Sequence, residues 1–161
     1  MIYNTQMKPL RIYLDTSVFG GCFDKGFIED SVKVFEAIRQ GRFILVYSEL
    51  VNTELKPAPA RVKALSNTIP LEYVEEVQFT QAAKELRDAY LDAGILTPDS
   101  IMDASHVATA TIHRADAIVS WNFAHIVKLE KMRLYNQVNL KNGYGFLEIV
   151  SPREVSNDEE T

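Results

Sequence analysis

Cysteine is nearly absent from this 161-residue sequence, which contains only Cys22. A single cysteine excludes an internal disulfide framework and a cysteine-rich zinc site, because both require several thiols. No apolar run approaches the ~20 residues that a membrane-spanning helix needs, and residues 1–10 lack the apolar stretch of a secretory signal. We therefore expect the protein to reside in the reducing cytoplasm, with no membrane contact.

Positive charge is also in short supply. The chain has 17 lysines and arginines against 22 aspartates and glutamates, giving a formal net charge of −5. This balance argues against a broad electrostatic grip on nucleic acid, which usually requires a basic surface. It leaves open a small acidic site that acts on nucleic acid through bound metal ions.

The pattern of hydrophobic residues predicts one domain over residues 1–155 and a disordered tail over 156–161. Apolar segments typical of strands alternate with amphipathic segments typical of helices. This alternation predicts an α/β protein with a parallel sheet covered by helices on both faces. Strands are expected at 10–14, 43–47, 117–121 and 146–150, with an ambiguous strand at 71–77, and helices at 28–40, 48–55, 61–67, 80–93, 98–114 and 123–132.

Acidic residues occur where the predicted strands end, which is where parallel sheets bind their ligands. Asp15 directly follows the first strand, and the helix after the second strand carries Glu49 and Glu54. The helix opened by a proline at position 98 carries Asp99 and Asp103, which are four residues apart and share one face. Simpler interpretations exist, because an aspartate at a strand end can cap the next helix and acids near a helix start favour its dipole.

Several carboxylates gathered at one sheet edge would repel one another unless a cation lay between them. Oxygen ligands of this kind suit Mg²⁺ or Mn²⁺ better than zinc. Five positions separate Glu49 from Glu54, which places them about 140° apart around a helix at ~100° per residue. The two glutamates therefore cannot both contribute equally to one site.

Four segments together resemble the PIN domain family, and the chain is most similar to its small single-domain VapC-type toxins. The segments are Asp15–Ser17, Ser48–Glu54, Asp103–Ala110 and Val119–Phe123. The resemblance implies a three-layer α/β/α sandwich with a central, mostly parallel sheet. It also implies an endoribonuclease that depends on Mg²⁺ or Mn²⁺ and hydrolyses RNA phosphodiester bonds. Such a protein would be the toxin of a type II toxin–antitoxin pair, would bind a cognate antitoxin and would form a homodimer.

By this resemblance, Asp15, Glu54 and Asp103 are the catalytic acids and hold the metal. The fourth position of the family is commonly aspartate and is Asn122 here, which can ligate through its carbonyl oxygen but adds no charge. Asp99 is a further candidate ligand that could compensate. Three hydroxyl residues are candidates for contacts to substrate or metal-bound water, although helix capping and turn formation explain them equally well: Thr16, Ser17 and Ser120.

Two other functions remain open from the sequence. The first is a catalytically weak PIN-like binding module whose acidic cleft accepts an arginine or lysine of a partner protein. The second is a phosphate-accepting receiver-like domain with Asp15 as acceptor, which fits poorly because no lysine follows the late strand. His106 and His125 are interpreted as surface or core residues, since metal-dependent hydrolysis of this type needs no histidine base.

Overall fold

The computed structural model describes residues 8–157. Its five strands form one sheet in the order β3-β2-β1-β4-β5, and every neighbouring pair is parallel. The central position of β1 places its carboxyl end between those of two neighbours. The strands are β1 (Leu10–Leu14), β2 (Phe43–Ser48), β3 (Val74–Val77), β4 (Ala117–Val119) and β5 (Glu148–Val150).

Helices cover both faces of this sheet. Short 3₁₀ segments lie at Ala64–Thr68, Leu71–Tyr73 and Pro98–Ser100. The α-helices are α1 (Thr16–Gly21), α2 (Ile28–Arg39), α3 (Glu49–Glu54), α4 (Ala60–Lys63), α5 (Gln81–Asp92), α6 (Ile101–Ile112), α7 (Leu129–Lys141) and α8 (Pro152–Asn157).

The side chains of β1 show how the three layers form. Ile12 and Leu14 point into a core that they share with α1, α2, α3, α4 and α8. Tyr13, between them, points into a second core with α5, α6 and α7. All three side chains are at most 2% exposed, so β1 is buried on both faces, as expected of a central parallel strand. The predicted α/β/α sandwich is confirmed.

Some predicted boundaries are wrong. The helix expected at 123–132 begins only at Leu129 and continues to Lys141. Asn122 Oδ1 accepts the backbone N–H groups of Ala124 (3.2 Å) and His125 (3.0 Å), as the side chain of a helix cap does. The short turn that it caps ends before Lys128, whose backbone is extended (φ −148°, ψ 130°), and α7 begins only after that residue.

Other differences concern short elements near the ends of longer ones. The predicted helix ranges do not include α1, although the capping interpretation of Asp15 refers to a helix at that place. Residues 71–77 divide into a 3₁₀ turn and strand β3. The tail was predicted to be disordered from residue 156, whereas α8 extends through Asn157 and Ser156 is buried. The Ser156 hydroxyl donates to Asp30 Oδ1 at 2.6 Å, which ties this turn to α2. Residues 158–161 lie outside the described part of the chain.

Candidate active site

Asp15 stands at the carboxyl end of β1 and is only 4% exposed. The Ser17 hydroxyl donates to its Oδ1 at 2.5 Å, and the Ser120 hydroxyl donates to its Oδ2 at 2.5 Å. Each hydroxyl also accepts a backbone N–H at 2.9 Å, Ser17 from Trp121 and Ser120 from Asn122. The carboxylate is therefore held on both oxygens by two serines that are themselves fixed by the segment after β4.

Asp15 also caps helix α1, as the simpler interpretation of the sequence predicted. Its Oδ1 accepts the backbone N–H of Ser17 at 3.2 Å. A capping carboxylate satisfies an N–H group that has no partner within the helix. The two interpretations of Asp15 are thus compatible, because the cap fixes the carboxylate at the sheet edge.

Glu54 ends helix α3 and is half-buried. Its Oε1 accepts the Thr16 hydroxyl at 2.6 Å and lies 2.5 Å from His106 Nε2. The other ring nitrogen, His106 Nδ1, lies 2.6 Å from the Tyr13 hydroxyl. His106 is 3% exposed and Tyr13 is fully buried, so this carboxylate is anchored in the core between the sheet and α6.

Asp103 completes the group from the first turn of α6. This helix leads into β4, which begins at the amino edge of the sheet, so the helix itself starts at the carboxyl edge. Burial raises the pKa of Asp103, while the nearby charges of His125 and His106 and the side-chain amide of Asn122 lower it. The charge of Glu54 raises the pKa of Asp103, so these two carboxylates repel each other.

The pKa values of the three carboxylates are shifted in different directions by the protein. Burial raises the pKa of Asp15, and the charge of Asp103 adds to this rise, so that His106 and the hydroxyls of Ser17 and Ser120 only partly offset it. Burial also raises the pKa of Glu54, but hydrogen bonds and charge from His106, together with Thr16, bring it below its usual value. Glu54 is therefore the best stabilised of the three anions.

The structure thus gathers most of the predicted site residues at one edge of the sheet. Asp99 lies exposed in the 3₁₀ turn before α6 and makes no hydrogen bond to the others within residues 8–157, so its role as a ligand stays a prediction. Residues brought together are Asp15, Thr16, Ser17, Glu54, Asp103, Ser120 and Asn122.

Two other acids lie away from this group. Glu49 is exposed at the start of α3 and lines a different cavity with Tyr47 and Glu76. Asp116 lies at the amino edge of the sheet, where its Oδ2 accepts the backbone N–H of Arg11 at 2.7 Å. The separation of Glu49 from Glu54 agrees with the helix geometry predicted from the sequence.

The residue types fit a hard divalent cation, although they do not form a finished ligand shell. Within residues 8–157, no three histidine, cysteine, aspartate or glutamate side chains are arranged as a metal cluster. Oxygens of Asp15 and Glu54 are engaged by hydroxyls, and Asn122 Oδ1 is engaged by backbone N–H groups. The mutual repulsion of Asp15 and Asp103 is nevertheless the condition that a cation relieves.

Sequence reasoning gave the histidines no role in the site and did not consider the tyrosine, although the buried His106 agrees with its interpretation as a core residue. His106 follows Asp103 by three residues, a spacing that places both on one side of a helix and is a usable signal. His125 belongs to the turn that Asn122 organises, and its charge acts on Asp103. Nothing in the sequence near Tyr13 indicates that its hydroxyl meets a histidine 93 positions away.

Comparisons with known proteins find similarity among solved structures. No protein family model matches the chain, and no curated protein does. A solved structure is similar, that of VapBC2 from Rickettsia felis bound to a DNA fragment from their promoter. The two are 15% identical, with a TM-score of 0.54, and the match covers 88% of this chain and 98% of the other.

A structural match at this low sequence identity shows the fold alone. Among residues 8–157, no helix is both long enough and apolar enough to cross a membrane. The chain has a PIN-like fold.

Proposed function

We propose that this protein is a divalent-metal-dependent endoribonuclease and the toxin of a type II toxin–antitoxin pair. The observation that supports the proposal most directly is the gathering of Asp15, Glu54 and Asp103 at the carboxyl edge of a PIN-like fold. The pKa of Asp15 is raised by burial and by the charge of Asp103, which is the electrostatic condition that favours cation binding.

Asp15, Glu54 and Asp103 would hold Mg²⁺ or Mn²⁺, with the Asn122 side chain as a weaker fourth group. When bound, such an ion supplies activation of water and stabilisation of charge on the phosphodiester. The protein's own part is orientation. Ser17 and Ser120 fix both oxygens of Asp15, and reorienting these hydroxyls frees lone pairs toward the cleft without moving the backbone.

The proposal includes the partners of such a protein. The VapBC2 structure is described as bound to a promoter DNA fragment, and a small protein encoded with this chain would by analogy act as its antitoxin. RNA would be the substrate, the toxin would form a homodimer, and the site of action would be the cytoplasm.

The test is cleavage of a labelled panel of single-stranded RNAs with Mg²⁺, with Mn²⁺ and with EDTA. We expect metal-dependent cleavage by the wild type and at least ~100-fold slower cleavage by Asp15→Asn, because removal of a single stabilising group in an active site commonly costs that much. Asp116→Asn is the matched control, since Asp116 lies at the opposite edge of the sheet. Cleavage by Asp15→Asn at the wild-type rate would contradict the proposed site.

A second function is favoured by one specific observation. Oxygens of Asp15 and Glu54 are already hydrogen-bonded, and Asn122 replaces the usual acid at the fourth position. A cleft of this kind can accept the guanidinium of a partner's arginine through carboxylate pairing. Calorimetric titration with Mn²⁺ distinguishes the two functions, because absence of binding at millimolar concentration would favour the binding module.

A further inference from the structure

A row of hydrogen bonds crosses the second core and ends on Glu54. It passes from the Tyr13 hydroxyl to His106 Nδ1 over 2.6 Å, and from His106 Nε2 to Glu54 Oε1 over 2.5 Å. Tyr13 and His106 also meet as rings, with centroids 5.7 Å apart and planes inclined by 66°. Both side chains are almost completely buried, so water cannot replace either partner.

The chemistry of Glu54 fixes one hydrogen on the imidazole. A carboxylate oxygen can only accept, so Nε2 must carry a hydrogen to bond Glu54. In a neutral imidazole Nδ1 accepts from the Tyr13 hydroxyl, and in an imidazolium Nδ1–H donates to it, so either form is held at Nδ1. Burial raises the pKa of Tyr13 well above its usual value, so its hydroxyl keeps its proton in both forms.

Ser48 lies at the beginning of the row. Its hydroxyl accepts the backbone N–H of Leu50 at 3.0 Å and interacts with the hydroxyl of Tyr13. The cap of α3 at its start is thereby linked to Glu54 at the end of the same helix.

The consequence for Glu54 is a fixed carboxylate with one oxygen available. Thr16 and His106 both bind Oε1, whereas Oε2 accepts no hydrogen bond from residues 8–157. Hydrogen bonds that orient a ligating group are known to change metal affinity 10–100-fold. This geometry suits a carboxylate that is held by one oxygen and offers the other.

We propose that His106 is a positioning residue, oriented at Nδ1 by Tyr13, that donates its Nε2–H to Glu54 Oε1 and leaves Oε2 for a cation shared with Asp15 and Asp103. The metal-binding consequence rests on the proposed function. The Nε2–H donor and the immobilisation of Glu54 are independent of the proposed function, because both exist in the metal-free protein.

Three variants separate positioning from packing. His106→Gln keeps an N–H donor at about the distance of Nε2, whereas His106→Leu fills similar space without a donor. Tyr13→Phe removes only the hydroxyl that orients the imidazole at Nδ1. Thermal unfolding establishes which variants fold, and Tyr13→Phe carries the test alone if His106→Leu does not.

Nitrogen-15 spectra of the metal-free protein report the tautomer directly. The chain has three histidines, so the His106 signals are identified as those lost in His106→Gln. We expect Nε2 to carry a hydrogen in the wild type and in Tyr13→Phe. We also expect the Glu54 methylene groups to be rigid in the wild type and in His106→Gln, and mobile in His106→Leu and in Tyr13→Phe, where the imidazole is no longer held at Nδ1. An Nε2 atom without a hydrogen, or equal Glu54 mobility in all folded variants, would overturn the inference.

Calorimetry with Mn²⁺ then tests the consequence for the site. We expect His106→Leu to weaken binding 10–100-fold, and His106→Gln to remain within about threefold of the wild type. Equal affinity in the wild type and in a folded His106→Leu variant would refute positioning of a metal ligand. If the wild type itself binds no Mn²⁺ and cleaves no RNA, the proposed function fails, while the spectra still decide the inference about His106 and Glu54.

Discussion

Replacing Ser120 by alanine should destabilise the metal-free protein by about 2–4 kcal/mol. Ser120 is fully buried, donates to Asp15 Oδ2 at 2.5 Å and accepts the backbone N–H of Asn122 at 2.9 Å. A hydrogen bond to a charged group contributes roughly 1.5–3 kcal/mol, and a neutral one about 1 kcal/mol. In a chain of this length, each kcal/mol shifts the Tm by about 2–4 °C, so the Tm should fall by about 5–15 °C.

The loss should grow as the pH rises. Burial raises the pKa of Asp15 in the folded protein, so the stability linked to this group is greatest at low pH and is lost as the pH rises through the folded pKa. The Ser120 hydroxyl stabilises the ionised form and partly offsets that loss. Without it the folded pKa rises further, and the difference between variant and wild type widens at neutral pH.

The assay is urea unfolding of the metal-free wild type and Ser120→Ala at pH 4.0 and pH 7.5. Ser17→Ala should cost less, because Ser17 is partly exposed and water can replace its hydroxyl at Asp15 Oδ1. Ser100→Ala serves as the control, since its hydroxyl makes no capping hydrogen bond to helix α6. A change below ~0.5 kcal/mol at pH 7.5, or a larger loss at pH 4.0, would refute the reasoning.

Two further changes probe the edges of the site. Asn122→Asp adds a carboxylate beside Asp103 in place of an amide that lowers the pKa of Asp103. We therefore expect a lower Tm without metal and a larger rise in Tm with Mn²⁺. Differential scanning calorimetry that shows unchanged stabilisation by Mn²⁺ would contradict this. Phe123 is 48% exposed and its ring lies 6.2 Å from that of Trp121. Base stacking contributes about 1–3 kcal/mol per base, so Phe123→Ala should raise the KM for RNA at least ~fivefold with no change in Tm, and an unaltered KM would exclude stacking there.

Strand direction explains why much of the site was predictable from sequence. Parallel strands bring their carboxyl ends to one edge, so Asp15 after β1 and Asn122 beyond β4 had to be neighbours once the strands were identified. A helix that leads into a strand must begin at that same edge, which locates Asp103. These conclusions depend only on local hydrophobic pattern and chain order.

What sequence reasoning missed depends on contacts between distant residues. A histidine on a helix is ordinary until a tyrosine from another layer meets it, and Tyr13 and His106 are 93 positions apart. The late start of α7 has a different cause, because the extended backbone of Lys128 separates the turn that Asn122 caps from the helix. Neither effect follows from local propensity.

The different pKa shifts of the three carboxylates link the fold to both proposed functions. Neutral donors and His106 hold the pKa of Glu54 below its usual value, whereas the pKa values of Asp15 and Asp103 remain raised after their own hydrogen bonds are counted. Any cation that enters the cleft lowers those two pKa values and stabilises the folded state by mass action. A divalent metal does so with compact charge, and the guanidinium of a partner does so with directed hydrogen bonds. The same electrostatic strain therefore drives either ligand into the cleft, and the choice between them depends on whether the serine hydroxyls yield the oxygens of Asp15 to the incoming cation.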